Sequence, residues 1–102
     1  MSAPFLKRKS PIQGFGLFAN RNFLPGTVLF KAIDTQCNVQ ELAAWVNHCR
    51  YPNTTLHREV DGWYLVSVLP IRKGEEIVAN YRASPPCIDK PDPSWDLVQA
   101  QN

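Results

Sequence analysis

The sequence predicts a small, mainly β domain with one short helix. Three observations carry this prediction: short β-rich runs alternate with glycine turns, an Asp-Gly pair separates two β-rich runs, and one strand–turn–strand pattern occurs twice. The 102 residues suffice for one domain with a single modest core. With 44% hydrophobic and 20% charged residues, the composition is that of a globular chain rather than a disordered one.

The first third of the chain predicts three strands. Residues 5–9 alternate weakly and predict an edge strand, and residues 16–19 predict a short strand after the two glycines of Gly14-Phe15-Gly16. Residues 24–27, Leu-Pro-Gly-Thr, have proline and glycine at the two central positions of a type II turn. The β-rich run 28–33 follows and predicts a buried strand.

The middle of the chain predicts the single helix, over residues 38–46. Asn38 can cap it, with Glu41 at the capping-box position. Leu42, Trp45 and Val46 share one face through three- and four-residue spacings.

A hairpin and a last strand are predicted after the helix. Strands at 54–60 and 63–68 flank Asp61-Gly62, a pair that suits a type I′ turn. Residues 71–76 contain a second glycine turn, and residues 77–81 predict the last short strand.

The repeated pattern places residues 16–29 on residues 64–77 at a constant offset. In this alignment Leu17 matches Leu65, Gly26 matches Gly74 and Leu29 matches Ile77. We expect two related β units that face each other in one all-β body. The alternative is a chance likeness between short β patterns.

The composition changes near the C-terminus, where residues 84–94 contain four prolines. We expect an extended segment there that is not part of the core. Trp95 lies beyond the prolines, and we expect it to pack back on the body. The predicted division is a domain over residues 1–83 and a proline-rich C-terminal segment over residues 84–102.

Charge and cysteine content exclude several classes of protein. The net charge of +2 is too small to predict nucleic-acid binding, and the basic run Lys7-Arg8-Lys9 is interpreted as the solvated face of a strand. Three widely spaced cysteines predict neither a disulfide framework nor a zinc site, and no other metal-ligand spacing is found. Free thiols, together with the lack of an apolar span or signal peptide, predict a soluble intracellular protein without membrane contact.

The polar heptad Asn47-His48-Cys49-Arg50-Tyr51-Pro52-Asn53 is the strongest candidate for a functional segment. It combines amides, an imidazole and a thiol in the middle of a small domain. The plain alternative is a turn in which His48 is a structural residue. Common catalytic patterns are absent: there is no G-x-S-x-G, and no acid is evident to orient a Cys49–His48 pair.

What remains is the Asn-His loop, the G-x-G turn and a set of aromatic residues. This combination suits a ligand that bears adenine or a positive charge. The aromatic set is Phe15, Trp45, Trp63, Tyr64, Tyr81 and Trp95.

Three motifs in this order resemble the SET-domain protein lysine methyltransferases. They are Gly14-x-Gly16, the segment Asn47-His48-x-x-x-Pro52-Asn53, and Gly74-Glu75-Glu76-Ile77-x-x-x-Tyr81. The resemblance covers roughly residues 5–82 and is closest to the minimal, free-standing viral type. It implies small curved β-sheets with a knot-like crossing, in which the C-terminal segment threads under the heptad loop.

The resemblance also implies a cofactor and roles for individual residues. Gly14, Phe15 and Gly16 would hold the methionine end of S-adenosylmethionine with their backbone, and Asn47 and His48 its adenine and amino-acid groups. Tyr81 falls on the catalytic tyrosine, and Trp95 corresponds to an aromatic that stacks on the cofactor or closes the lysine channel. The implied partner is a protein or peptide, such as a histone, that presents a lysine.

The sequence departs from the family at several positions. Asn80 replaces the aspartate that usually precedes the tyrosine, and Cys87 stands alone where relatives have a zinc-binding cysteine cluster. The insert before Asn47 is short, although in relatives it forms one wall of the substrate groove. A homodimer could complete that wall. Two alternatives therefore stay open: a SET-like module that binds peptide or cofactor without turnover, and a β-domain that uses Trp63 and Trp95 in a protein interface.

Overall fold

The computed structural model describes residues 3–80, which form a mainly β structure with one 3-10 turn at Ala43–Trp45. The mainly β prediction is confirmed, and the architecture is that of a small SET-like fold. The strands are β1 (Phe5–Lys9), β2 (Phe15–Ala19), β3 (Val28–Asp34), β4 (Asn47–His48), β5 (Thr54–Glu59), β6 (Gly62–Ser67) and β7 (Glu76–Ala79).

Two small sheets contain all seven strands. The first has the order β1-β2-β7-β4, in which β4 pairs with β7 in parallel and the other pairs are antiparallel. The second has the order β3-β6-β5 and is antiparallel throughout. The predicted type II turn at residues 24–27 and the second predicted glycine turn, at residues 71–76, are both present. Gly26 and Gly74 have φ angles of 83° and 95°, and each turn is closed by a backbone hydrogen bond, Thr27 N to Leu24 O and Glu75 N to Arg72 O.

Reciprocal backbone hydrogen bonds join the two predicted β units. Phe23 N donates to Ile71 O at 2.7 Å, and Ile71 N donates to Phe23 O at 2.9 Å. Ala19 N donates to Glu75 O, and the matching Ser67 N donates to Thr27 O, both at 2.9 Å. The repeat in the sequence is therefore an approximate two-fold arrangement, as expected of two units that face each other.

The core lies between these units. Four of its fully buried side chains are Leu17 and Leu65, which match in the repeat, and Ile71 and Ile77. Phe5 stacks on Phe23 at a ring-centroid distance of 5.5 Å and closes one side of the core. Burial of these aliphatic groups supplies most of the favourable free energy of such a small fold.

The predicted helix over residues 38–46 is wrong, because only the 3-10 turn Ala43–Trp45 forms. Asn38 does not cap a helix. Instead, its backbone N–H and that of Gln36 donate to the Asp34 carboxylate at 2.8 and 2.9 Å. The hydrogen bond from the Asn38 backbone is the main cause of a lowered Asp34 pKa. Val39 then bridges Ile33, so the segment continues along β3 until residue 40.

The predicted hairpin is confirmed, but its turn is displaced by one residue. Glu59 pairs with Gly62, so the two-residue loop is Val60-Asp61 rather than Asp61-Gly62. Val60 is 99% exposed, which explains why an apolar residue is tolerated in the loop. Gly62 has a φ of 140° and begins β6 instead of occupying the turn.

The cysteines differ from expectation in one respect. Cys37 is disulfide-bonded, whereas Cys49 is a free thiol. The prediction of free thiols was therefore wrong for Cys37, and the cysteines no longer support a reducing compartment. None of the helices in the described chain has the length and apolar character needed to cross a membrane.

The heptad approaches β7 twice. Asn47 and His48 pair with Val78 and Ala79, and five residues later the Asn53 amide donates to Glu76 O and accepts from Val78 N at 2.8 and 3.0 Å. The Thr54 hydroxyl donates to Val78 O at 2.7 Å. Residues 49–53 thus join two segments that both bond the backbone of β7. The expected threading of the C-terminal segment lies outside the described residues.

Candidate functional site

The site is built around the loop that joins β1 to β2, at residues 10–14. Gly14 has a φ of 48°, and its carbonyl accepts a 2.8 Å hydrogen bond from Ser10 N, which closes the loop. Gly16 is needed for a different reason. A Cβ at this position would overlap Glu76 Oε2 and lie 2.9 Å from Glu76 Cδ. The missing side chain lets the Glu76 carboxylate lie against β2.

Asn47 ties this loop to β4 and β7. Its Nδ2 atom lies 3.2 Å from the carbonyl oxygens of Gln13 and Phe15 and 2.9 Å from Glu76 Oε2. All three neighbours are acceptors, which fixes the orientation of the amide. Within residues 3–80 the Asn47 Oδ1 atom accepts no hydrogen bond and is not buried. Asn47 therefore keeps an accessible acceptor beside the G-x-G loop.

Glu76 is a site residue whose role the sequence analysis missed. The Ser10 hydroxyl lies 2.8 and 2.9 Å from its two carboxylate oxygens, and Asn47 donates to the same group. Glu75 points elsewhere and accepts from Arg72 N, as expected for adjacent strand residues on opposite faces. Gly16 on β2 is the signal that could have identified Glu76, because a glycine leaves room for a side chain from the neighbouring strand. The pairing of β2 with β7, however, cannot be deduced from the sequence.

His48 is 4% exposed and pairs with Ala79 across the parallel strands. Adjacent strand residues point to opposite faces, so the buried His48 ring lies on the other face of β4 from the Asn47 amide. Among the described residues, no group of three or more His, Cys, Asp and Glu side chains is placed to hold a metal ion.

An aromatic face lies beside the loop. Phe15 is 54% exposed, and Trp45 on the 3-10 turn is partly buried. The Lys7 ammonium lies 3.4 Å from the centroid of the Trp45 ring and 4.9 Å from that of the Phe15 ring. Two aromatic residues of the predicted set are thus brought together at the site, whereas Trp63 and Tyr64 lie on β6 in the other sheet.

An apolar cavity of about 240 Å³ opens near the end of β7. Ala43 and Val46 from the short insert form one side, Leu56 lies on another, and Ala79 and Asn80 border it. The cavity therefore lies beside Asn80, the last residue that the structure describes. Tyr81 follows Asn80 in the sequence.

The structure brings five of the seven predicted site residues together: Gly14, Phe15, Gly16, Asn47 and His48. Tyr81 and Trp95 lie outside the described residues, so their roles stay predictions from the sequence. Glu76 joins the site, and Lys7 lies beside Phe15 while staying exposed, as expected for the solvated face of a strand.

Comparison with known proteins gives a likeness at the level of fold. No family model and no curated protein matches the sequence. A solved structure from Plasmodium falciparum, described as a "putative histone methyltransferase", superposes with a TM-score of 0.61. The match covers 79% of this chain and 95% of that chain at 16% identity. At this identity the likeness shows the fold alone, and it gives no support to the finer resemblance to the viral type.

Proposed function

We propose that the protein is an S-adenosylmethionine-dependent protein-lysine N-methyltransferase. The observation that carries the proposal is the position of Asn47. Its Nδ2 is used on the G-x-G loop and on Glu76, which leaves Oδ1 as an acceptor at the surface. The proposal is supported further by the fold likeness to a solved chain described as a histone methyltransferase.

The proposed binding mode uses groups that are already held in place. The Asn47 Oδ1 atom would accept a hydrogen bond from the cofactor's α-ammonium group, and the exposed Phe15 ring would contact its apolar part. Because the acceptor is fixed by hydrogen bonds to two carbonyls and a carboxylate, little conformational freedom is lost on binding.

The proposed reaction needs alignment more than acid–base groups. When bound, the cofactor supplies an electrophilic methyl group on a sulfonium. A neutral lysine amine would take this methyl group as the C–S bond breaks, which would leave a thioether and a methylammonium that can release a proton to water. Alignment can contribute up to about 7–11 kcal/mol in the most favourable cases. An apolar channel beside a positive sulfonium also favours the neutral amine, and Tyr81 is proposed to orient it.

The apolar cavity supports a peptide substrate. Its walls at Ala43, Val46 and Ala79 suit an aliphatic chain and offer few polar groups. The proposed partner is a protein segment that presents a lysine. A second subunit could supplement the short wall formed by the insert.

The first test is calorimetric titration with S-adenosylmethionine and S-adenosylhomocysteine. We expect saturable binding by the wild type and at least tenfold weaker binding by Asn47→Ala, since this substitution removes the acceptor and frees the loop. Asn20→Ala is the matched control, because within residues 3–80 the Asn20 side chain donates only to the Ala3 carbonyl oxygen. Urea unfolding of each variant checks that it is folded. No binding by a folded wild type would contradict the proposed cofactor.

Turnover separates the enzyme from the non-catalytic binding module. We expect transfer of a labelled methyl group to lysine-containing peptides, and we expect Tyr81→Phe to remove transfer while S-adenosylhomocysteine binding persists. Cofactor binding without transfer to any of a broad set of peptides would favour the module. An unchanged rate in Tyr81→Phe would contradict the assignment of Tyr81.

A further inference from the structure

The disulfide bond of Cys37 has one candidate partner within this chain. The sequence contains three cysteines, Cys37, Cys49 and Cys87. Cys37 is disulfide-bonded, whereas Cys49 is a free thiol. Cys87, which lies outside the described residues, is therefore the cysteine that remains to pair with Cys37. Such a bond would join the turn after β3 to the proline-rich C-terminal segment.

The turn after β3 sets the position of Cys37. Cys37 has a φ of 66°, in the left-handed region, and its backbone N–H donates to Asp34 O at 3.1 Å. Ile33 and Val39 bridge across the turn, and the partly buried Cys37 side chain packs against the core. The sulfur atom is therefore held near the body of the protein.

The apolar cavity near the end of β7 lies next to this turn. Its lining includes Ile33 and Val39, which bridge the Cys37 turn, and Asn80, the last described residue. Val39 is 48% exposed, and Ala44, which is also on the lining, is exposed as well. The described residues thus leave part of this apolar lining uncovered.

A bond between Cys37 and Cys87 would keep residues 81–86 beside the cavity. This segment starts from Asn80 at the border of the cavity, and the chain from Asn80 to Cys87 reaches at most about 25 Å. The other end would be attached to the turn beside Val39. Both ends of the segment would therefore adjoin the cavity lining.

The composition of residues 81–86 suits an apolar surface. The segment contains an aromatic residue, Tyr81, and the proline pair Pro85-Pro86. Proline fixes its own φ and has no backbone N–H. The pair therefore loses little conformational freedom when it is held, and it presents no backbone donor that an apolar surface would leave unsatisfied.

We propose that Cys37 and Cys87 form a redox-sensitive disulfide bond that holds residues 81–86 over the apolar cavity. As the S–S bond forms, the two thiols lose two protons and two electrons. A small-molecule disulfide such as oxidised glutathione takes them up and is split into two thiols. An external dithiol reverses the exchange and releases the segment. The inference does not rest on the proposed function, because it concerns the covering of the cavity and not the cofactor.

Peptide mapping tests the pairing. The protein is equilibrated with oxidised glutathione, its free thiols are alkylated, and it is digested with trypsin without reduction. We expect the tryptic peptide of residues 32–50 to be linked to that of residues 83–102. The first peptide also contains Cys49, so fragmentation of the linked pair in the mass spectrometer assigns the bond, and we expect it on Cys37. A bond on Cys49, a bond between two copies of the chain, or no bond would overturn the inference.

Dye binding tests the covering of the cavity. Anilinonaphthalene sulfonate binds exposed apolar surface, and its fluorescence rises when it does so. We expect reduction by a dithiol to raise the fluorescence severalfold in the wild type, and Cys87→Ser to show the raised level in both redox states. Cys49→Ser is the matched control and should respond as the wild type does. Urea unfolding checks that each variant is folded in each redox state.

Ala44→Leu shows whether the dye binds in the cavity itself. Ala44 lines the cavity and is exposed, so a larger side chain can be added there without crowding the core. In the Cys87→Ser background we expect this substitution to return the fluorescence to the level of the oxidised wild type. Fluorescence that does not change on reduction, or a rise that persists with Ala44→Leu, would overturn the proposed covering of the cavity.

Discussion

The two sheets of this protein share a scaffold but differ in the side chains that they carry. The first sheet contains β1, β2 and β7, and the second contains β5, β6 and β3; β2 and β6, which match in the repeat, hold equivalent central positions among these strands. Phe18 pairs with Glu76 in the first sheet, and the matching Val66 pairs with Val28 in the second. The same backbone arrangement thus supports a polar site in one sheet and an apolar pair in the other.

The difference is explained by a few side chains. Gly16 leaves room for Glu76, whereas β6 carries the large side chain of Tyr64 at the matching position. The first sheet also gains β4, which brings Asn47 beside Glu76. The missing side chain at Gly16 and the added strand β4 therefore distinguish the candidate binding site from the matching strand pair of the second sheet.

The substitution of Gly62 gives the largest expected effect. Gly14 has open space around it, but Gly62 has a φ of 140°, and a Cβ there would overlap the Ile33 carbonyl oxygen. Backbone cannot move aside as a side-chain end can. We expect Gly62→Ala to destabilise the fold by about 3 kcal/mol, measured by urea unfolding.

Gly74→Ala serves as the control for the cost of a positive φ alone. Gly74 has a φ of 95° but nothing within 4 Å of a built Cβ. We expect a loss of about 1 kcal/mol. Equal losses for the two substitutions would mean that the close approach of Ile33 does not matter.

Gly16→Ala should displace the Glu76 carboxylate from the site, with a smaller loss of stability than Gly62→Ala. The new Cβ overlaps only the end of the Glu76 side chain and contacts Ser10 Cβ at 3.1 Å. We expect a loss of about 1 kcal/mol as Glu76 moves away from Ser10 and Asn47. The loss should nearly vanish when the substitution is made in a Glu76→Ala background, which a double-mutant cycle by urea unfolding measures.

An equal cost in both backgrounds would place the strain elsewhere, for example at Ser10. The cycle needs no ligand, so it tests the geometry of the site independently of the proposed cofactor.

The repeat made much of the fold predictable from the sequence. Glycine turns at Gly26 and Gly74 have local causes, and so do the strands that they join. The predicted helix at 38–46 does not form, because the Asp34 carboxylate binds the N–H groups of Gln36 and Asn38 and so takes the Asn38 N–H that Glu41 would bind in a capping box. Sequence rules do not decide between two such partners.

The candidate site was predictable only in its motifs. The residues Gly14, Gly16 and Asn47 carry recognisable spacing, and they do meet. The contributions of Glu76 and Lys7 depend on which strands become neighbours. Glu76 reaches the loop because β7 pairs with β2, and Lys7 reaches Trp45 because the 3-10 turn of the insert packs on β2 and β3. Such non-local pairing is not encoded in short patterns.

The smallest expected effect concerns Tyr64, the residue of the second sheet that matches Gly16 in the repeat. Its hydroxyl donates a 2.8 Å hydrogen bond to the Asp61 carboxylate. This bond is the main cause of a raised Tyr64 pKa, above the ordinary value of 10.0, and of an Asp61 pKa lowered below 3.8. Any stability from a raised tyrosine pKa is present below pH 10 and is lost as the pH rises through it. The contribution of Asp61 is present above about pH 4 and is lost as the pH falls through its lowered pKa.

The Tyr64–Asp61 hydrogen bond should therefore make the free energy of unfolding depend on pH only below about pH 4 and above about pH 10. Asp61 is exposed and Tyr64 is only half-buried, so solvent screens the interaction and the effect on unfolding is small. Absorbance titration of tyrosinate is the sensitive measurement, with Tyr64→Phe assigning the transition. In Asp61→Asn the carboxylate charge is removed, and the Tyr64 pKa should fall back towards 10.0. If the Tyr64 pKa does not change in Asp61→Asn, the shift has a cause other than the Asp61 carboxylate.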